Sequence, residues 1–433
     1  MNLKPDRRLW PSLLWLTAAA ISLLACQILS PSGTNGAARG TATPAANHTA
    51  TGGGHKATAT PGARQAFTVG AGGPSFLAPA GARASKVTLD ESQLPFLILF
   101  PELRNAPAPD WLTLGTRVTY KVASATIAQA PGQQGTSGSG YVQYDLVALD
   151  SGLAVATSQL FLDSGSSVVP SLVFPVLGLP GIGEFWLNPQ AVVKAEDVAT
   201  AELSVTRMDQ DFGGDTYHVV RFEYTHANAQ YGWVFDSATG LLLFYSAAIG
   251  TDTDPNRQLS QVTFVARRQL SLPWQGGSLP SWVARTSRLH YSGTYGTTVS
   301  GASSVELSAA ATVQLQDHFN RWNSYRLSNS IQGQPDASSE QLSGGDEAFG
   351  GLWLAPEALA ALQDGQTLDT DPVTGAVITV TRDQNTVTLT ETGQLFQTSL
   401  SYDATDGRLT ALVEQQQVGV ATVVSRLQLD SSN

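Results

Sequence analysis

From residue 116 onward the chain carries repeated stretches in which apolar and polar residues alternate. Arg117-Val-Thr-Tyr-Lys-Val122, Tyr141-Val-Gln-Tyr-Asp-Leu-Val147 and Val219-Val-Arg-Phe-Glu-Tyr224 are three; Ala376-Val-Ile-Thr-Val-Thr381 and Asn385-Thr-Val-Thr-Leu-Thr390 are two more. A period of two puts successive side chains on opposite faces of a strand, so each stretch predicts one buried face and one wet face. Asp236-Ser-Ala-Thr-Gly240 and Asp403-Ala-Thr-Asp-Gly407 fall between such stretches and predict hairpin turns. In each, the Asp can accept hydrogen bonds from the turn backbone and the Gly can take a positive φ. Trp186-Leu-Asn-Pro189 and Trp353-Leu-Ala-Pro356 lead into Gln190-Ala-Val-Val-Lys194 and Glu357-Ala-Leu-Ala-Ala-Leu362. Both predict a short helix with proline at its first position and a tryptophan plugged between helix and sheet.

These elements recur. The block Glu184–Val192 matches Gly351–Leu359 at an offset of 167 residues, and Val219–Ala247 aligns without a gap on Thr386–Glu414 at the same offset. Trp111 and Trp282, each shortly after a proline, open the two copies. Two separated blocks that share one offset indicate a duplication. The fold class expected is all-β with short helices, as two tandem homologous modules, each an antiparallel half-barrel or curved sheet. The boundaries are 86–277 for module 1 and 278–433 for module 2, of ordinary domain size.

Residues 26–85 are Gly, Ala, Thr, Pro and Ser with few large apolar side chains. Such a segment buries too little surface to offset its ordering entropy and is expected to be a disordered tether. Ahead of it, Lys4, Arg7 and Arg8 precede an apolar run from Leu9 to Ala25 that ends in Leu23-Leu24-Ala25-Cys26. Residues 1–25 therefore read as a signal peptide. Leu23, Ala25 and Cys26 resemble the lipobox of bacterial lipoproteins. That resemblance implies cleavage before Cys26 and a diacylglycerol anchor on its thiol, with fatty acids such as palmitate. The expected location is exported and membrane-anchored, at the cell surface or in the periplasm. Cys26 is the sole cysteine, which excludes disulfides and CxxC chemistry.

Composition narrows the function. Charged residues are 14% of the chain and the net charge is −11, with no lysine after Lys194. An acidic surface without a basic stripe excludes nucleic acid as a partner. No HExxH or HxH spacing occurs among the six histidines, and no nucleophile elbow, P-loop or dinucleotide fingerprint is present. Asp252-Thr-Asp254, Asp209-Gln-Asp211 and Asp369-Thr-Asp371 lack the full calcium-loop pattern and read as turns. No catalytic residue, metal or cofactor is assigned.

One asymmetry separates the copies. Module 1 carries an apolar, Pro-punctuated run, Val168–Ile182, where module 2 has the polar Gln332–Glu340. Val173, Phe174, Val176, Leu177, Leu179 and Ile182 are the candidate surface for an apolar ligand or an envelope partner. A second apolar piece, Leu94–Pro101, precedes module 1. Many strands, a Trp-Pro element and the Asp-x-x-Thr-Gly hairpin together resemble the half-barrels of periplasmic lipoprotein-handling proteins, the LolA/LolB-like group. That resemblance implies an incomplete barrel whose helical lid covers acyl chains. The function expected is an exported, lipid-anchored, non-enzymatic envelope protein that binds a lipid, another apolar ligand or an envelope protein through module 1. A structural or adhesive cell-surface spacer is the alternative, and a carboxylate-dependent hydrolase comes third.

Overall fold

A computed structural model gives the architecture. It describes residues 101–430 except 129–135, 151–152, 163–172, 196–201, 227, 251–255, 284–286, 300–303, 320, 335, 350 and 419, and before these only Phe67–Val69 and Ser85–Val87. Cys26 and residues 94–100 lie outside the described residues.

The chain is built of antiparallel strands with two short helices. β1 (Phe67–Val69) and β2 (Ser85–Val87) come first. Module 1 follows with β3 (Thr116–Ala128), β4 (Thr136–Asp150), β5 (Leu153–Leu162), β6 (Val173–Gly178), α1 (Pro189–Lys194), β7 (Leu203–Phe212), β8 (Asp215–His226), β9 (Ala229–Asp236), β10 (Leu242–Ile249) and β11 (Asn256–Gln269). Module 2 has β12 (Arg288–Val299), β13 (Val305–Phe319), β14 (Trp322–Ile331), β15 (Ala337–Gly344), α2 (Pro356–Ala361), β16 (Thr367–Thr370), β17 (Val377–Asp383), β18 (Thr386–Thr392), β19 (Phe396–Asp403), β20 (Leu409–Val418) and β21 (Ala421–Leu429).

Both sheets are open. The nine-stranded one runs β6-β5-β4-β3-β11-β10-β9-β8-β7. The twelve-stranded one runs β16-β17-β18-β19-β20-β21-β12-β13-β14-β15-β1-β2. Without β16, β1 and β2, the second order repeats the first strand for strand. β1 and β2 fall within or at the end of the segment read as a tether, and Val69 of β1 pairs in parallel with Glu340 of β15. Leu270, Leu272 and Trp274 pack in the second core, which therefore takes in chain ahead of residue 278.

The alternating positions do what the pattern predicts on one face. Val118, Tyr120 and Val122 of β3, Val142, Tyr144 and Leu146 of β4, and Phe222 and Phe235 share one core with Trp186 and Leu187. Leu289, Tyr291, Val313, Leu315, Tyr325 and Tyr402 share the other with Trp353 and Leu354. Trp186 and Trp353 are fully buried beside their helices. The copies reuse the same long-range bonds. Trp111 Nε1 donates to Thr239 O at 2.7 Å and Trp282 Nε1 to Asp406 O at 2.9 Å. Tyr120 Oη donates to Leu242 O and Tyr291 Oη to Leu409 O, both at 2.9 Å.

The two blocks that betray the duplication touch each other. Leu187 N donates to Gly240 O and Leu354 N to Gly407 O, so each Trp-Leu-x-Pro segment lies against its Asp-to-Gly hairpin. Gly240 and Gly407 have φ of 72° and 74°. A Cβ there would stand 1.7 Å from Leu187 O, or 2.0 Å from Leu354 O. Gly240→Ala and Gly407→Ala should each cost about 3 kcal/mol, from a left-handed backbone and a main-chain collision together. Urea unfolding tests this, and a loss below about 0.5 kcal/mol would refute the close approach.

Candidate functional site

The wet face predicted for β3 and β4 is covered over most of its length, Lys121 being exposed, and the same face of β5 is covered with it. Arg117 and Thr119 of β3, Gln143, Asp145 and Val147 of β4, and Val155, Thr157, Gln159 and Phe161 of β5 are all buried, although they alternate with the core residues. Module 2 covers them. A local pattern reports which residues share a face but not what a distant segment lays over it, so the expectation failed here.

Charge dominates this contact. Arg117 makes a two-pronged bond to Asp145, Nε to Oδ1 at 2.6 Å and Nη2 to Oδ2 at 2.7 Å. Its Nη1 reaches Asp371 Oδ2 at 3.4 Å and Asp369 Oδ2 at 3.5 Å in module 2. Arg268 of β11 donates to Asp369 Oδ1 at 2.7 Å and to Asp371 Oδ2 at 2.8 Å. Asp371 also opens a turn: its Oδ1 accepts Val373 N at 2.9 Å and Thr374 N at 2.8 Å. Burial opposes ionisation of Asp371, but Thr374 N–H, Arg268, Gln143 and Arg117 outweigh it and hold its carboxyl well below the usual range. Burial likewise opposes the charge on Arg117, and Asp145 and Asp371 more than reverse that.

Beside this cluster, Gln159 Nε2 donates to Glu391 Oε2 at 2.8 Å. Burial pushes the Glu391 carboxyl up to about 7, against the pull of Gln159 and Arg117. Apolar contacts flank the polar ones. Phe161 meets Phe396 with ring centroids 5.7 Å apart, and Val147 and Val155 pack with Trp322 and Leu342 of module 2.

The acids that grip module 1 stand on a segment module 1 lacks. Pro189 and Pro356 begin the helices at an offset of 167. In the next strands Leu203 pairs with Tyr224 and Arg207 with Val220, as Ile378 pairs with Glu391 and Arg382 with Val387. There the offset is 175. Module 2 thus gains eight residues between α2 and β17, in the stretch that holds β16, Asp369 and Asp371. Arg207 and Arg382 confirm the register: both donate to carbonyls at the end of the preceding helix, Val193 O at 2.7 Å and Leu359 O at 2.9 Å.

The residues singled out in module 1 sit at the same end of its sheet, beside the contact strand β5. Val173, Phe174, Val176 and Leu177 lie on β6, the end strand, and pair with Gln159, Ser158, Ala156 and Val155. Leu179 and Ile182 bridge to each other, and Ile182 is a core residue that also bridges to Leu187. A different feature of module 1 reaches the surface. Tyr224, Tyr231, Trp233 and Tyr245 form a ladder of rings with successive centroids 6.4, 5.8 and 5.7 Å apart, and Tyr224 and Tyr231 are half-buried. Module 2 has Glu391, Thr398, Leu400 and Leu412 at the matching positions.

Two further carboxyls are raised by burial. Glu184, lifted to about 7, accepts from Tyr144 Oη at 2.7 Å. Glu347, also lifted to about 7, accepts from Ser343 Oγ and Gly344 N, each at 2.8 Å. Glu184 stands in module 1 and Glu347 in module 2. His218 pairs with Asp209 on the surface, and His290 Nδ1 lies 3.0 Å from Thr312 Oγ1. Among the described residues no three His, Cys, Asp or Glu side chains group as metal ligands.

Sequence reasoning noted Asp369 and Asp371 only as a turn and passed over Arg117, Arg268 and Glu391. The jump in offset between α2 and β17 was the one signal that could have marked the insertion.

No family model and no curated protein matches the chain. Among solved structures it is similar to a protein of unknown function from the DUF3598 family of Nostoc punctiforme, at 13% identity and a TM-score of 0.14, over 73% of this chain and 96% of that one. It is also similar to the outer membrane protein opdK of Pseudomonas aeruginosa, at 9% identity and a TM-score of 0.10, over 72% of this chain and 97% of that one.

Proposed function

We propose that this chain is an exported envelope protein, anchored by lipid on Cys26, whose two modules act without catalysis as one joined unit that presents module 1 to an envelope partner. One observation carries the choice among the readings the sequence leaves open. The side of each sheet that would hold an acyl chain is filled by the protein's own rings. Tyr120, Phe185, Trp186, Phe222 and Phe235 are under 2% exposed in one core, and Trp274, Tyr291, Trp353 and Tyr402 in the other. A carrier of apolar molecules needs a concave, largely pre-formed cavity. A structural unit needs a solid core and a fixed relation between its parts, which the contact around Arg117 supplies. The structural reading therefore moves ahead of the lipid carrier.

Binding through module 1 stays within the proposal, because the Tyr224–Tyr231–Trp233 ladder has no aromatic counterpart in module 2. Partly exposed tyrosines such as Tyr224 and Tyr231 are a residue type that anchors protein partners.

Native mass spectrometry of the chain from residue 27 tests the reading, before and after organic extraction. A single ligand-free mass is the expected result. A discrete extra mass that extraction removes would overturn it in favour of a carrier of apolar molecules.

A further inference from the structure

We propose that the contact between the modules is a pH-sensitive latch, closed while Glu391 keeps its proton and loosened when Glu391 gives it up. The inference stands on the module contact alone, whatever module 1 binds.

Glu391 is 2% exposed, and the groups around it come from both modules. Gln159 of β5 donates to it, and Arg117 of β3, Asp145 of β4 and Asp369 of β16 act on it through their charges. Arg268 of β11 and Asp371, in the turn after β16, complete the cluster. Two guanidiniums thus already face three carboxylates, Asp145, Asp369 and Asp371. An ionised Glu391 would be a fourth, in a place where water cannot solvate the excess. Buried charge beyond what partners can neutralise is costly, and the cheapest relief is to let water in. Here that means parting β5 from β18.

The direction in pH follows. The closed contact holds a proton on Glu391 that the open contact releases, so opening is favoured as pH rises. With its carboxyl lifted to about 7 in the closed form against 4.5 for an ordinary glutamate, the contact weakens as pH rises through that interval, and the loss is complete above it. On the acid side the latch stays shut, because Asp371 keeps its charge well below the usual carboxylate range and goes on pairing with Arg268 and Arg117. The Phe161–Phe396 and Trp322–Val155 contacts do not titrate and should limit the motion to a loosening. Module 1 has Tyr224 where module 2 has Glu391, so the device is confined to this one contact.

Hydrogen exchange on the full chain, corrected for the intrinsic effect of pH on exchange, tests the latch. Between pH 6 and pH 8, protection of β5 and β18 should fall about tenfold more than that of β9 and β10 of module 1. Glu391→Gln should keep β5 and β18 protected at pH 8, and Glu391→Met serves the same purpose if the glutamine variant does not fold. Unchanged protection in the wild type would overturn the proposal. So would a loss at pH 8 that survives in the Glu391 variants, or one abolished by Glu347→Gln instead.

Discussion

Replacing Arg117 by methionine should destabilise the protein by about 3–5 kcal/mol, the largest effect expected of any single charge removal in it. Arg117 is 2% exposed, and its removal leaves Asp145 without the cation that engages both of its oxygens. Asp371 keeps Arg268 and its turn amides, so the damage should concentrate on Asp145. Arg268→Met is the informative contrast. Its side chain is 24% exposed, and Arg117 remains beside Asp369 and Asp371, so its loss should cost less than half as much. Urea unfolding of both variants measures the difference. Equal costs, or a cost below about 1 kcal/mol for Arg117→Met, would mean that the cluster does not hold the modules together.

Stability should peak in mildly acidic solution and decline toward pH 8. Burial lifts Glu184 and Glu347 to about 7 in the folded chain, against 4.5 for an ordinary glutamate. The folded state therefore binds protons that the unfolded state releases, and stability falls as pH rises through the interval between those values. Above it both states are ionised and the loss is complete, on the order of 3 kcal/mol for Glu347, which is 3% exposed. Asp371 works in the opposite direction: its depressed carboxyl contributes stability above the usual aspartate range, and that contribution is lost as pH falls below it. The maximum should lie near pH 4 to 5, by the same linkage. Melting curves at pH 4.5 and 8 test this. Glu347→Gln should narrow the gap between them, and a wild type that melts higher at pH 8 would contradict the assignment of both groups.

Much of the fold could be read from the chain because its cause is local. Alternation located the strands around Val118, Val142 and Phe222, and turn chemistry placed Asp236 and Gly240. Proline at the first helical position marked both Pro189 and Pro356. The repeated Trp-Leu-x-Pro and Asp-to-Gly blocks pointed to duplication, and the strand order repeats accordingly. What could not be read is what one module does to the other. Arg117 lies in an alternating stretch whose polar positions look solvated; it pairs with Asp145 in its own module, and nothing local shows that Asp371, 254 residues on, joins the pair. Val155 and Trp322 likewise give no local sign that they meet. The apolar run from Val168 to Ile182 drew attention by composition, yet Ile182 serves the core and Val173–Gly178 forms the end strand of the sheet.

The strand order has a kinetic consequence. In each module the first strand and the last lie side by side in the interior of the sheet: Tyr120 of β3 pairs with Phe264 of β11, and Tyr291 of β12 with Leu429 of β21. Neither sheet can become continuous until its final strand is present, because the seam that β11 or β21 fills runs through the middle. Contacts that join the ends of a module are the most distant it can make, and chains dominated by them fold slowly. Until β11 docks, β3 and β10 each expose an unpaired edge, the state in which chains aggregate or recruit helpers. The same geometry makes the two ends of the protein unequal in importance. Deleting β1 and β2 would trim one margin of a sheet, whereas deleting Ala421–Leu429 would split the second sheet between β20 and β12.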